Sequence, residues 1–420
     1  MRQWLFWSAL ALLAGALALA AALLLRNAPP APPRAQVAVT DILGAGPTTG
    51  FAAADAPRQF AFPADHGPHP GFRNEWWYFT GNLATADGRR FGFQLTFFRS
   101  ALRPPLAALF EPTGPSAWHA DQLYMGQFAL TDPVGNRFIA SDRFSRAAVG
   151  LAGAQATPFR VWLDDWSAEA ALKVAPAEAR ADAPGQGPDK LGPIRLRATQ
   201  PSAAGPVAID LTLRALKPPT LQGDQGLSRK GPDPGQASYY YSLPRMETHG
   251  SVQIGTETFA VTGLSWMDRE WSTSALSHGE VGWDWFSVQL ADGRDLMYYR
   301  LRHADGSFDP VSRGTITAAD GTVTQLLPGA IQIDVLATWR SPHSGGVYPS
   351  RWRLRAPAQN IDLTITPLRA DQELNLYVTY WEGAVRAEST GGDGTHSAPA
   401  GFGYVELTGY APAPPSAQGQ

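Results

Sequence analysis

From about Phe60 to Tyr410 apolar residues recur at every second position, and that period governs what the chain can fold into. Phe91-Phe93-Leu95-Phe97, Val207-Ile209-Leu211-Leu213, Ile361-Leu363-Ile365 and Leu374-Leu376-Val378-Tyr380 each alternate with polar or small residues and end in turn formers. Successive side chains point to opposite faces of a strand, so these runs predict half-buried antiparallel strands. Asp87-Gly88, Asp292-Gly293, Asp305-Gly306 and Asp320-Gly321 are hairpin-turn signals. The 42 glycines and 36 prolines favour many turns. No long amphipathic helix is visible, and the expected class is all-β.

Two hairpins resemble each other. Trp76-Trp77-Tyr78-Phe79-Thr80 runs through Asp87-Gly88-Arg89 into Phe91-Gly92-Phe93, and Trp283-Asp284-Trp285-Phe286 runs through Asp292-Gly293-Arg294 into Leu296-Met297-Tyr298. The two Asp-Gly-Arg turns are 205 residues apart, which predicts a duplicated β-domain. Closed up-and-down barrels would remove exposed edges and enclose a cavity.

The N-terminus is different. Trp4 to Leu25 is an uncharged apolar run of 22 residues between Arg2 and Arg26. At 1.5 Å per residue it reaches about 33 Å as a helix, enough for a ~30 Å hydrocarbon core. Cleavage after Ala18 or Ala20 would leave Leu23-Leu24-Leu25 on the mature end, so an uncleaved anchor is favoured over a cleaved signal peptide. Either reading exports the remainder to the periplasmic side. Residues 1–35 are then a signal or anchor with a Pro-rich spacer at Asn27–Arg34, and Ala175–Gly192 reads as a long surface loop.

Composition narrows the chemistry. With no cysteine, disulfides, thiolate metal sites and cysteine nucleophiles are excluded. A net charge of −3 leaves no basic footprint for nucleic acid. Gly263-Leu264-Ser265-Trp266-Met267 lacks the closing glycine of a nucleophile elbow. His66 and His69 lie in a Pro/Gly-rich loop without metal-ligand spacing, so neither a metal nor a cofactor is expected.

The segment Ser265-Trp266-Met267-Asp268-Arg269-Glu270-Trp271 stands out, following the apparent strand Thr258–Thr262. On a strand, Asp268 and Glu270 share a face with Trp266, and Arg269 faces the other way. A carboxyl held among aromatic rings is favoured in its neutral form and can donate a proton. The competing reading is an ion-paired corner locked by Arg269. Glu75-Trp76-Trp77-Tyr78, Tyr239-Tyr240-Tyr241 with Arg245 and His249, and Trp283-Asp284-Trp285 complete the candidate set. An aromatic pocket with an acid suits an apolar ligand, or a developing cation met by ring faces.

Asn74-Glu75-Trp76-Trp77-Tyr78, Tyr239-Tyr240-Tyr241-Ser242-Leu243-Pro244-Arg245 and Ser265–Trp271 resemble the AttH-type "predicted secreted hydrolase" branch of the carotenoid 1,2-hydratase (CrtC-like) superfamily. The resemblance covers about residues 55–410. It implies two tandem lipocalin-like antiparallel barrels, with domains at 55–245 and 246–410 that meet near residues 240–255 and the Asp268 segment in the second. In the hydratases, an aspartate in the segment matching Asp268 protonates an isolated carbon–carbon double bond, assisted from the segment matching Tyr239 and Tyr241. This chain has tyrosines there in place of His and Trp. No hydrolytic apparatus supports the family's hydrolase label.

The expectation is an exported protein that binds an apolar lipid or isoprenoid and acts on it as a hydratase or isomerase. Asp268 is then the acid, Glu270 its partner or a water-orienting base, and Trp271, Tyr241, Trp283 and Trp285 the pocket wall. The alternative is a non-catalytic lipid-binding or assembly factor for an ABC-type exporter of the inner membrane, a partner that the resemblance implies.

Overall fold

The computed structural model describes residues 48–105, 120–171, 191–202, 205–274, 279–390 and 399–412. The predicted anchor at residues 4–25, the proline spacer and most of the Ala175–Gly192 loop lie outside them. The described residues form two antiparallel sheets and two single-turn 3-10 segments, with no α-helix.

The first sheet opens with β1 (Asn74–Ala84), β2 (Arg90–Ala101), β3 (Gln122–Asp132) and β4 (Arg137–Arg146). The short strands β5 (Ala152–Gln155), β6 (Arg160–Leu163) and β7 (Trp166–Ala170) lead into β8 (Ile194–Gln200) and β9 (Val207–Ala215). It ends with β10 (Thr220–Leu221), β11 (Leu227–Arg229) and the long β12 (Ala237–Ile254) and β13 (Glu257–Ser272). The second sheet holds β14 (Glu280–Leu290), β15 (Asp295–His303), β16 (Arg313–Thr317), β17 (Val323–Leu326) and β18 (Gln332–Arg340). It continues through β19 (Val347–Ala356), β20 (Ile361–Pro367), β21 (Glu373–Asn375), β22 (Thr379–Ser389) and β23 (Pro399–Leu407).

Each sheet curls so that its first strand pairs with its last, β1 with β13 and β14 with β23. The look-alike hairpins are the opening pair of each sheet, and Gly88 and Gly293 take φ of 88° and 90° at equivalent turns. Only glycine enters that region without steric cost, which explains both Asp-Gly signals. The architecture is two tandem lipocalin-like β-barrels.

Three expectations are corrected. The 245/246 domain boundary falls inside β12, and the chain changes sheet between Ser272 and Glu280. The Asp268 segment therefore belongs to the first sheet and continues the Thr258–Thr262 strand as part of β13. Leu374–Tyr380 is not one strand but a hairpin bend, with Asn375 paired to Thr379; its apolar residues gather in a small satellite core.

The barrel interiors are filled. Trp77, Phe79, Phe93, Leu95, Trp166 and Trp271 belong to the core of the first, and Phe286, Trp352 and Trp381 to that of the second. A third apolar cluster joins the sheets, with Tyr78, Tyr240 and Trp266 from the first and Trp285, Met297, Tyr299 and Tyr404 from the second. Strands at this junction lose the alternation of exposure. β1 is buried on both faces along most of its length, whereas β9 keeps one solvent-facing side. A buried clasp adds to the junction: Asp295 on β15 receives Lys217 Nζ at 2.6 Å and Arg245 Nη2 at 2.8 Å from the first sheet.

A buried acid between the two sheets

The cavity of interest lies between the sheets, not inside either barrel. Trp76, Tyr78, Tyr240, Asp268 and Glu270 line it from the first sheet, and Trp283, Trp285, Tyr299 and Glu406 from the second. Strand register sets this arrangement. Asp268 on β13 stands opposite Tyr78 on β1 and Ser242 on β12, and Glu270 stands opposite Trp76 and Tyr240. Residues two apart share a face, so these six side chains form one patch.

Asp268 is 4% exposed. Ser242 Oγ donates to Oδ1 at 2.5 Å, Trp266 Nε1 to the same oxygen at 2.7 Å, and the Tyr240 hydroxyl to Oδ2 at 2.7 Å. Burial drives the Asp268 pKa up to about 7, against the pull of these three donors and with the Glu270 charge adding to the rise. Oδ1 has two donors and Oδ2 one, so Oδ2 keeps the lone pair that a proton would take. Trp285 Nε1 donates to the Tyr240 oxygen at 3.2 Å, which ties the second sheet to the acid through one phenol.

Glu270 is held differently. Lys230 Nζ lies 3.0 Å from Oε1, and Ser238 Oγ donates to the same oxygen. Burial lowers the Lys230 pKa, but the charge of Glu270 with its neighbours outweighs it, and the ammonium is kept. Lys230 also sits 4.3 Å from the Tyr299 ring centroid, a cation–π contact.

The opposite face of the same ladder is an ion cluster inside the first barrel. Arg269 and Arg99 both donate to Glu75, and His69 Nδ1 lies 3.2 Å from it. Although burial opposes it, the two guanidiniums hold the Glu75 carboxyl well below its usual range. Arg269 packs 3.8 Å over the Trp77 ring, and His69 stacks on Trp271 with centroids 3.7 Å apart. Arg269 thus faces away from Asp268, as strand alternation predicts.

Several predicted site residues lie away from the cavity for the same reason of parity. Tyr239, Tyr241, Trp271, Glu75 and Trp77 face the first barrel's core. Tyr241 bonds His66 Nδ1 there at 2.5 Å, so it does not wall the cavity. Arg245 belongs to the Asp295 clasp, His249 is exposed, and Asp284 is bound by Arg300 at 2.8 Å and Tyr410 at 2.9 Å. Ser265 shares a hydrogen bond with Thr248 at 2.7 Å. Asp268, Glu270, Trp76, Tyr78, Trp266, Trp283 and Trp285 do gather at the junction. Ser242, Lys230 and Glu406 escaped the sequence reading, and Tyr240 was a candidate to which no role was given. Tyr240 lay within the motif but on the parity not chosen, and Lys230 and Glu406 carry no local signal.

Fold and site together define a double lipocalin-like β-protein with an aromatic cavity built around a buried acid. The chain belongs to the AttH-like family, whose model matches residues 53–410. The crystal structure of a protein from Nitrosomonas europaea described as an AttH is 34% identical with a TM-score of 0.69, covering 86% of this chain and 100% of that one. Kievitone hydratase from Nectria haematococca shares the fold at 16% identity and a TM-score of 0.58, covering 87% of this chain and 97% of that one. No curated protein sequence matches the chain.

Proposed function

We propose that the protein binds an apolar, isoprenoid-like ligand in the cavity between its sheets and adds water across a carbon–carbon double bond, with Asp268 as the proton donor. One observation carries this reading: a carboxyl pushed up to about 7 opens onto an aromatic cavity while the neighbouring arginine is engaged elsewhere. Protonating an unactivated alkene requires a neutral acid near working pH, and an ionised one has no proton to give. The resulting carbocation would meet the ring faces of Trp76, Trp283 and Trp285. The neighbour in Nectria haematococca is by name a hydratase, and the proposal brings that reaction type to this chain.

The exported location inferred from Trp4–Leu25 belongs to the same proposal, with the cavity on the periplasmic side and the N-terminal run as anchor or signal. Service to an ABC-type exporter rests on the family resemblance. Fractionation of cells carrying the full chain tests the location.

The function is tested by incubating the detergent-solubilised full chain with geranylgeraniol in ¹⁸O-water. A labelled tertiary alcohol is expected from the wild type and none from Asp268→Asn, with binding of the probe retained. Equal alcohol formation by Asp268→Asn would remove the acid. Binding without turnover in either protein would leave a lipid carrier.

A further inference from the structure

A second pair of carboxyls borders the cavity. Glu382 on β22 and Glu406 on β23 stand directly opposite each other in the strand register. Tyr380 and Glu406 line the cavity, and Glu382, two residues from Tyr380 on β22, shares its face behind that lining. Glu382 is 1% exposed, and neither of its carboxylate oxygens makes a hydrogen bond. The hydroxyl of Tyr78, which reaches the cavity from the first sheet, also makes none. Buried polar atoms without a close partner are costly, and the Tyr78 hydroxyl and the Glu382 carboxyl, which favours its ionised form when that hydroxyl turns to it, face each other beside the cavity.

The electrostatics agree with the geometry. Burial drives Glu382 up while Tyr78 and Tyr380 pull it back, and Glu406 is raised by burial and then by the charge of Glu382. Asp268 and Glu270 across the cavity push Glu406 the same way. Two such carboxyls on adjacent strands disfavour each other's ionisation. Glu270, in contrast, is already engaged by Lys230 and Ser238 at Oε1.

We propose that Glu406, with Glu382 positioned behind it, is the base that accepts the proton of the attacking water. The assignment rests on the hydration reading above. Asp268 Oδ2 gives its proton to one alkene carbon, the π pair forms the new C–H bond, and the neighbouring carbon becomes the cation. A water lone pair bonds to that carbon, and the proton released from the oxonium passes to Glu406. The sum is one water added. Return of the proton from the glutamate pair to solvent, and from solvent to Asp268, resets the site. Acid and base stand on different sheets, so they reach a ligand between them from opposite sides.

The test uses the full chain with geranylgeraniol in deuterium oxide. Glu406→Gln is expected to slow alcohol formation by about 10²–10⁴-fold while deuterium still exchanges into unreacted alkene, because Asp268 remains. Glu406→Asp, which keeps a carboxyl, should recover part of the rate. Glu382→Gln should slow alcohol formation and return the Glu406 carboxyl toward the ordinary glutamate range, read by NMR of ¹³C-labelled glutamate. Unchanged alcohol formation in Glu406→Gln and Glu382→Gln, with probe binding intact, would overturn the base assignment and leave the acid standing. A wild type that neither exchanges deuterium nor forms alcohol would overturn the hydration reading itself.

Discussion

Tyr240 donates its hydroxyl hydrogen to Asp268 Oδ2 at 2.7 Å while accepting Trp285 Nε1 at 3.2 Å, so the acid of one sheet is tuned by a tryptophan of the other. Removing that donor should raise the Asp268 pKa, since the bond favours the carboxylate. A hydrogen bond to a charged group is worth about 1.5–3 kcal/mol, or roughly one to two pKa units. The expected result for Tyr240→Phe is a shift of that size in an NMR titration of the Asp268 carboxyl carbon.

Stability should carry the mark of the same carboxyl. Its folded pKa of about 7 lies above the ordinary aspartate value of 3.8, so between those values the folded state holds a proton that the unfolded state has lost. Stability from this group is full below about pH 4 and is lost as pH rises through about 7, by on the order of 2–4 kcal/mol. Glu382 acts in the same direction, whereas Glu75, with its lowered pKa, contributes stability that is lost on acidification. Urea midpoints measured from about pH 5 to 8 should fall in the wild type and fall less in Asp268→Asn.

Arg269 is expected to matter for folding and not for the cavity. Arg269→Leu leaves the buried Glu75 carboxylate with Arg99 and His69 but without its second guanidinium. Breaking a buried ion pair from one side costs about 3–5 kcal/mol. Urea denaturation should show this loss, and the Asp268 titration should stay where it is.

Two tryptophans separate by face. Trp285→Ala opens the cavity wall and should weaken geranylgeraniol binding by about 10–100-fold, the worth of one to three kcal/mol of apolar contact. Trp271→Ala removes a ring from the first barrel's core and should cost about 3–5 kcal/mol of stability with binding unchanged. Fluorescence titration with the probe and a urea melt of each variant read the two effects independently.

The strands were legible in the sequence because their alternation reports burial on one side. Val207–Leu213 and Ile361–Ile365 bury one face and leave the other to solvent, and the period of two follows directly. The Asp-Gly turns and the duplicated hairpin are equally local, as is the opposition of Asp268 and Arg269 across one strand. Other features were not local. In Glu75–Tyr78, Tyr239–Ser242 and Trp266–Trp271 both faces are buried, one in a barrel core and one between sheets, so hydrophobicity gives no cue to which face is which. Parity joins Tyr239 to Tyr241 and Asp268 to Glu270, but only the β12–β13 register shows that Tyr240 is the tyrosine beside the acid. The alternation across Leu374–Tyr380 reads as a strand although a bend divides it, because both arms bury the same parity. Lys230 and Glu406 reach the site from chain positions 38 residues before Asp268 and 138 after it. The sequence by itself determined the strands, the turns and the two-sided character of the Asp268 segment, since these depend on neighbours within a few residues. The tertiary structure alone decided which side holds the cavity and which charges meet there, since packing one sheet on another sets both.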